Sequence, residues 1–242
     1  MNDIEKLKKI VKEAKRIVFF GGAGVSVPSG IPDFRGSGGL YTDPHGGEVP
    51  PEVILSIDYA KDNPEAFYGY YKKNMVYPDA KPNGAHKALA KLEKEGKLSA
   101  VVTQNIDGLH TDAGSETVYE LHGSVLKNYC VKCGRKYPLS YVMESEGVPK
   151  CEKCGSTVRP DVVLYGEGLD AQTMTYASRA IYLADVLIVG GTSLTVNPAA
   201  SLVNMYGGEH FIIINKSPTP YDRYAELVIR ESIDTVLEAV TE

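Results

Sequence analysis

The 242-residue sequence contains no tryptophan and only four cysteines, and all four lie between Cys130 and Cys154. That confinement argues against a disulfide scaffold, in which cysteines are spread along the chain. No stretch approaches the roughly 18 apolar residues that span a bilayer. Apolar runs such as 17–20 and 211–214 are strand-sized. Basic residues are not in excess either. Lys and Arg number 26 against 31 Asp and Glu, for a net charge of −5, which excludes general nucleic-acid binding while leaving a basic peptide or protein partner open. No low-complexity tract or internal repeat is present, and an apolar content of 43% excludes a disordered chain. The first 16 residues lack both the apolar core of a secretion signal and the acid-poor character of a transit peptide, so a cytoplasmic protein is expected.

What is present alternates between two periodicities. Ile4, Leu7, Ile10, Val11 and Ala14 recur at helical spacing, and Asn2 with Glu5 forms a capping-box pattern. A short buried strand follows at 17–20. Residues 37–51 are rich in Gly, Pro, Asp and His and read as a long loop. The segment from Pro51 to about Tyr77 is helical and aromatic. Asn83 caps a helix that stops at Gly96. Apolar strands are predicted at 100–103, 118–121, 186–189 and 211–214, with helices at 177–184, 198–206 and 233–240. Short apolar strands alternating with helices imply a mostly parallel sheet covered on both faces.

The cysteines read Cys130-x2-Cys133-x17-Cys151-x2-Cys154, within the spacing window of a four-cysteine zinc site. Gly134 and Gly155 follow the second cysteine of each pair, as tight knuckle turns favour. Four thiolates complete a tetrahedral zinc and leave no position for water, so the metal is expected to be structural. A buried or redox-active cysteine set is the alternative.

The turn Gly22-Ala23-Gly24 after the first strand suits close approach to a pyrophosphate, although it does not complete G-x-G-x-x-G and by itself is equally a simple tight turn. Its continuation is more telling. The run Gly22-Ala-Gly-Val-Ser-Val-Pro-Ser-Gly-Ile-Pro-Asp-Phe-Arg35 resembles the first signature of the sirtuin family, the NAD-dependent protein-lysine deacylases. Thr103-Gln-Asn-Ile-Asp-Gly-Leu-His110, Leu121-His122-Gly123, Arg159-Pro-Asp-Val-Val-Leu-Tyr-Gly-Glu167 and Gly191-Thr-Ser-Leu-Thr-Val-Asn-Pro198 match further signatures in the family's order. The four-cysteine module also lies where that order places it, and the length is that of the small prokaryotic members that prefer acetyl-lysine.

The resemblance implies an α/β fold. A doubly wound, Rossmann-like parallel sheet would be built from 1–40, 84–126 and 160–242. A small inserted domain, a helical segment plus zinc ribbon, would come from 41–83 and 127–159. It implies an enzyme that transfers the acyl group of a lysine side chain to ADP-ribose, with NAD as co-substrate. Nicotinamide and O-acetyl-ADP-ribose would be released by way of an alkylimidate. Acetylated proteins or peptides are the implied partners, with neither nucleic acid nor membrane involved. His122 is the implied base on the ribose hydroxyls, a role that imidazole chemistry suits. Asn105 and Asp107 would order the ribose-side water and the nicotinamide amide, with Gln104 and Ile106 beside them. Gly22, Ala23, Gly24 and Ser26 would face the phosphates. Phe34 would shield the reacting face, and Arg35 would hold the pyrophosphate or ribose. Gly191, Thr192, Ser193, Asn215 and Ile233 would contact the adenosine end, while Val163, Leu164 and Tyr165 would pair with an extended substrate peptide. Mono-ADP-ribosyl transfer would use the same pocket.

Two positions depart from the family pattern. Val27 stands where many members carry a small polar residue. Where succinyl- and malonyl-selective members carry Tyr-x-x-Arg, Tyr68 is followed by Tyr71 and Lys72, which leads to an expected preference for uncharged acyl groups.

Overall fold

The computed structural model describes residues 2–33, 39 and 49–242. Phe34, Arg35 and most of the 37–51 loop lie outside the described residues. Among the described residues, six strands form a parallel sheet: β1 (Ile17–Gly21), β2 (Leu98–Thr103), β3 (Val118–Glu120), β7 (Val186–Gly190), β8 (His210–Ile214) and β9 (Leu227–Ile229), in the spatial order β3-β2-β1-β7-β8-β9. A second, antiparallel sheet has the order β5-β4-β6, from β4 (Gly123–Cys130), β5 (Lys136–Tyr137) and β6 (Val158–Val162).

The apolar runs are continuous because both faces of the large sheet are covered. Successive side chains point to opposite faces. Ile17, Phe19, Val101, Ile188, Ile212 and Ile214 pack under α1 (Asp3–Glu13), α5 (Gly84–Lys94) and α9 (Ile233–Thr241). Val18, Phe20, Val102, Leu187, Val189 and Ile213 pack under α8 (Ala171–Leu183) and a 3-10 helix, Ala199–Met205. Each fully buried side chain of this kind contributes roughly 2 kcal/mol, so either layer is sensitive to a single polar replacement. Helix α1 starts where the sequence places it: the Asn2 side chain accepts from Glu5 N at 2.8 Å and Glu5 accepts from Asn2 N at 2.9 Å.

The third core belongs to the small domain. Helices α2 (Pro51–Ile54), α3 (Ile57–Asp62), α4 (Pro64–Asn74) and α7 (Leu139–Glu144) join the antiparallel sheet around Leu55, Phe67, Tyr68, Tyr71, Val125, Cys130, Tyr137, Val142, Cys151 and Val158. The aromatic stretch and the cysteine stretch therefore share one interior.

Several elements differ from the sequence reading. The boundaries expected at 126/127 and 159/160 fall inside β4 and close to the start of β6. There Gly123 pairs with Val162 and Ser124 with Asp161 within the antiparallel sheet. Helix α8 begins at Ala171 rather than 177. Its first half is of mixed character and mostly exposed, and its start is set by Asp170, which accepts from Thr173 N at 2.7 Å. The segment expected as an α-helix at 198–206 winds as a 3-10 helix, with Ser201 N and Oγ both donating to Pro198 O. Strand β9, only three residues long, was not anticipated.

His86 lies in the first turn of α5. It caps α5, accepting from Asn83 N at 3.3 Å, but its side chain is wholly buried against His110, with ring centroids 4.6 Å apart. Neither ring nitrogen of His110 meets a partner among the described residues. Burial pushes His86 down to about 4; burial, and then the His86 neighbour, push His110 down to about 3. Both rings are therefore neutral in the fold, whereas in the unfolded chain they protonate near 6.5. Their contribution to stability is complete above about pH 6.5 and is lost as pH falls towards 4, because the unfolded chain then binds more protons. For His86 alone this amounts to roughly 3 kcal/mol. His86→Gln keeps an acceptor for Asn83 N. Urea melts between pH 7 and pH 4.5 should lose stability less steeply in that variant than in the parent; equal slopes would contradict the assignment.

Candidate functional site

The site is built where β1 and β7 end side by side. Gly22 N donates to Gly190 O at 3.2 Å and Gly24 N to Gly191 O at 2.8 Å. A Cβ on Gly24 would lie 2.8 Å from Gly191 Cα. One on Gly191, whose φ is +61°, would lie 2.4 Å from Val25 N. Only glycine permits the two turns to touch in this way.

Next to this contact, β2 delivers the second motif. Gln104 N donates to Gly21 O, and Gln104 Nε2 to Thr192 Oγ1 at 2.9 Å. Asn105 Nδ2 donates to Ser26 Oγ at 3.0 Å, and Ser26 Oγ donates to Asp107 Oδ2 at 2.6 Å. The other oxygen of Asp107 accepts from Leu109 N at 2.9 Å. Burial pushes the Asp107 carboxyl above its ordinary range, opposed by the Ser26 and Leu109 hydrogen bonds. Ser26, expected to face a phosphate, stands in the cavity wall with its hydroxyl donating to Asp107.

His122 stands at the end of the turn after β3. Its Nδ1 lies 2.8 Å from Gln104 O. A carbonyl oxygen can only accept, so Nδ1 carries the proton and the lone pair sits on Nε2, which has no partner among the described residues. Burial holds the imidazole below its ordinary value, while the Gln104 carbonyl acts in the opposite sense. The result is a neutral ring ready to accept a proton.

Residues 163–165 close the site from the small-domain side. Val163 N donates to His122 O at 3.0 Å, Tyr165 N to Leu55 O at 2.9 Å and Leu164 N to Glu167 Oε2 at 2.9 Å. Glu167 is gripped by Arg159 through two 2.8 Å bonds, and Arg159 also donates to Val162 O.

These elements enclose a cavity of about 700 Å³, within the range of small-molecule sites. Its walls include Gly22, Ala23, Gly24, Ser26, Val27, Gln104, Asn105, Ile106, Asp107, His122, Val163, Leu164, Tyr165, Gly191, Thr192, Ser193, Asn215 and Ile233. All the described residues nominated from sequence for cofactor, catalysis or peptide thus meet in one space; Phe34 and Arg35 lie outside the described residues. Sequence reasoning missed Met75, Val76 and Tyr77 from the loop after α4, Val125 and Leu126 from β4, and Leu139 from α7. These are apolar residues with no local signal, and they reach the cavity only because the small domain folds over it.

The four cysteine sulfurs lie within 4.8 Å of one another, with Cys130 Sγ 3.4 Å from Cys154 Sγ and Cys133 Sγ 3.6 Å from Cys151 Sγ. A tetrahedral zinc with bonds of about 2.3 Å sets its sulfurs about 3.8 Å apart, so this donor set fits zinc. The knuckles close as expected. Gly134 N donates to Cys130 O and Gly155 N to Cys151 O, both glycines having a φ of +70°. Tyr137 Oη donates to Cys151 Sγ at 3.2 Å, an outer hydrogen bond of the kind that steadies a thiolate ligand.

The Sir2 family model matches residues 22–198, which is most of the chain. The chain belongs to the Sir2 family. An NAD-dependent protein deacetylase of Clostridium acetobutylicum is 56% identical over 99% of this chain and 98% of its own length. Another from Cutibacterium acnes is 51% identical over 98% of this chain and 96% of its own. Among solved structures, a Sir2 complex with deacetylated p53 peptide and 3′-O-acetyl ADP ribose superposes with a TM-score of 0.90, at 38% identity, covering 99% of this chain and 97% of that one. A Sir2 complex with p53 peptide and NAD+ gives 0.86 at 38% identity, covering 99% and 97%. The doubly wound sheet with a separate small domain is thus the Sir2 fold.

Zinc in this Sir2 chain should be structural. Elemental analysis should return one zinc per chain. Chelation should alter the near-ultraviolet signal of the tyrosines packed against the ribbon, because Cys130 and Cys151 belong to the small-domain core. Chelation that stops turnover with the tyrosine signal intact would argue against a structural role.

Proposed function

We propose that the protein is an NAD-dependent protein-lysine deacetylase that transfers the acyl group to ADP-ribose and releases nicotinamide and O-acetyl-ADP-ribose. The observation that carries this reading is the neutral His122, with its lone pair on Nε2, in the wall of a cavity shared by the glycine turns and the 163–165 segment. The curated relatives named NAD-dependent protein deacetylase, and the Sir2 complexes with NAD+ and peptide, support it.

Bound NAD supplies the ribose carbon that loses nicotinamide and takes up the acyl oxygen. Gly22, Ala23 and Gly24 would hold its pyrophosphate by backbone amides. Thr192, Ser193, Asn215 and Ile233 would hold the adenosine end. Asn105 and Asp107, locked together through Ser26, would order the nicotinamide side, with Gln104 and Ile106 beside them. Val163, Leu164 and Tyr165 would pair with the backbone of an acyl-lysine peptide. His122 Nε2 would take a proton from a ribose hydroxyl while Nδ1 keeps its own against Gln104 O. The net charge of −5 and the reduced-thiol metal site favour a cytoplasmic enzyme acting on proteins rather than on nucleic acid, and among the described residues no helix is long and apolar enough to cross a membrane.

Nicotinamide should be released from NAD only when an acetylated peptide is present. His122→Ala should lower deacetylation by about a hundredfold or more. In the parent, the acid limb of kcat/KM should lie below the ordinary imidazole value of 6.5, since burial depresses His122. Undiminished turnover by the variant would remove His122 as the base.

Acyl choice follows from the small domain. Tyr68 Oη donates to Val158 O at 2.6 Å, Tyr71 is buried in the core, and Lys72 Nζ is held by Ser145 O and Gly147 O. Among the described cavity residues the one cation is Lys216, next to Asn215. A succinyl carboxylate would enter unpaired, at a cost of about tenfold or more in kcat/KM relative to acetyl on the same peptide. Faster desuccinylation would reject this preference.

A further inference from the structure

The side chain of Asn83 does more than cap a helix. Its Oδ1 accepts from Ala85 N at 2.9 Å, which is the capping bond legible in the sequence. Its Nδ2 reaches 58 positions back along the chain and donates to Val25 O at 2.8 Å, and to Ser29 Oγ, also at 2.8 Å. Val25 and Ser29 flank Ser26, the residue that bridges Asn105 and Asp107, and Val25 lies against Gly191. One amide group therefore ties the start of α5 to both sides of the Gly22–Gly30 turn.

We propose that Asn83 is a positioning residue for the nucleotide: its Nδ2 donors hold the cofactor-binding turn in register with Gly191, Asn105 and Asp107. This inference rests on the NAD reading above. The residue type supports it. Ser and Asp cap helices as well as Asn does. Neither can accept from Ala85 N and also offer two N–H donors from the same group. A purely structural cap leaves that choice free, whereas a cap that also holds a carbonyl and a hydroxyl of the Gly22–Gly30 turn requires the amide. The contact holds the glycine turn, whereas the peptide segment 163–165 is held by His122 O, Leu55 O and Glu167, so its loss should fall on the dinucleotide and not on the acyl-lysine.

The test uses Asn83→Ser and Asn83→Asp, which keep the capping acceptor and delete the donors. Calorimetric titration with ADP-ribose should show Kd raised about fivefold or more in both variants. KM for NAD should rise in parallel, while KM for the acetylated peptide at saturating NAD stays within about twofold of the parent. Melting temperatures should stay close to the parent's, because the cap survives. Asn2→Ser, a cap substitution far from the crevice, should leave the ADP-ribose Kd unchanged. If both Asn83 variants bind ADP-ribose within twofold of the parent, the proposal is overturned, whether or not their melting temperature falls. It is equally overturned if the NAD and peptide KM values rise together. A parent that binds no ADP-ribose would remove the NAD premise itself, a failure read separately from that of the variants.

Discussion

The site depends on a backbone contact between two glycines. Gly24 and Gly191 meet at the ends of adjacent parallel strands, where a single methyl group on either would overlap the other's main chain. The contact arises because the chain leaves these strands towards opposite faces of the sheet. After β1 the next large-domain helix, α5, packs on the α1 and α9 side. After β7 the 3-10 helix Ala199–Met205 packs on the α8 side. The divergence opens a crevice that a bulkier pair of turns would fill. Gln104, reaching from β2 to Thr192, and Asn83, reaching from α5 to Val25, then tie the two turns to their neighbouring elements.

The small domain meets this crevice along a seam that passes through His122. The strand β4 begins at the next residue, and His122 O accepts from Val163 N at the end of β6. The orientation of His122 is thus shared between Gln104 O, in the large domain, and the antiparallel sheet. That sheet ends in the cysteine knuckles, and Cys130 and Cys151 pack in the same core as Tyr71 and Phe67. A metal with no open coordination position can therefore act on catalysis through geometry alone, by ordering the strands that carry 163–165.

Legibility in the sequence followed the range of the forces involved. The Asn2 and Asn83 caps, the knuckle glycines and the uniformly apolar strands were readable because each is decided within a few residues. The mostly exposed first half of α8 and the three-residue β9 were not, since the start of one is set by its Asp170 cap and the other depends on pairing with β8. Ser26 shows the same limit inside the site. A small hydroxyl beside a glycine turn reads as a phosphate donor, and its bond to Asp107, 81 positions away, has no local signal.

By itself, then, the sequence determined the alternation of buried strands and helices, the four-thiol ligand set and a core of polar crevice residues that includes Gln104, Asn105, Asp107 and His122, because those are encoded in residue type and short spacing. Tertiary structure alone decided which nitrogen of His122 bears the proton, how the apolar wall from Val125, Leu139 and Tyr77 closes the cavity, and that Asn83 ties α5 to the Gly22–Gly30 turn. Those outcomes depend on carbonyls and side chains brought together from distant parts of the chain, and a hydrogen bond of 2.8 Å leaves no trace in the sequence that separates its partners.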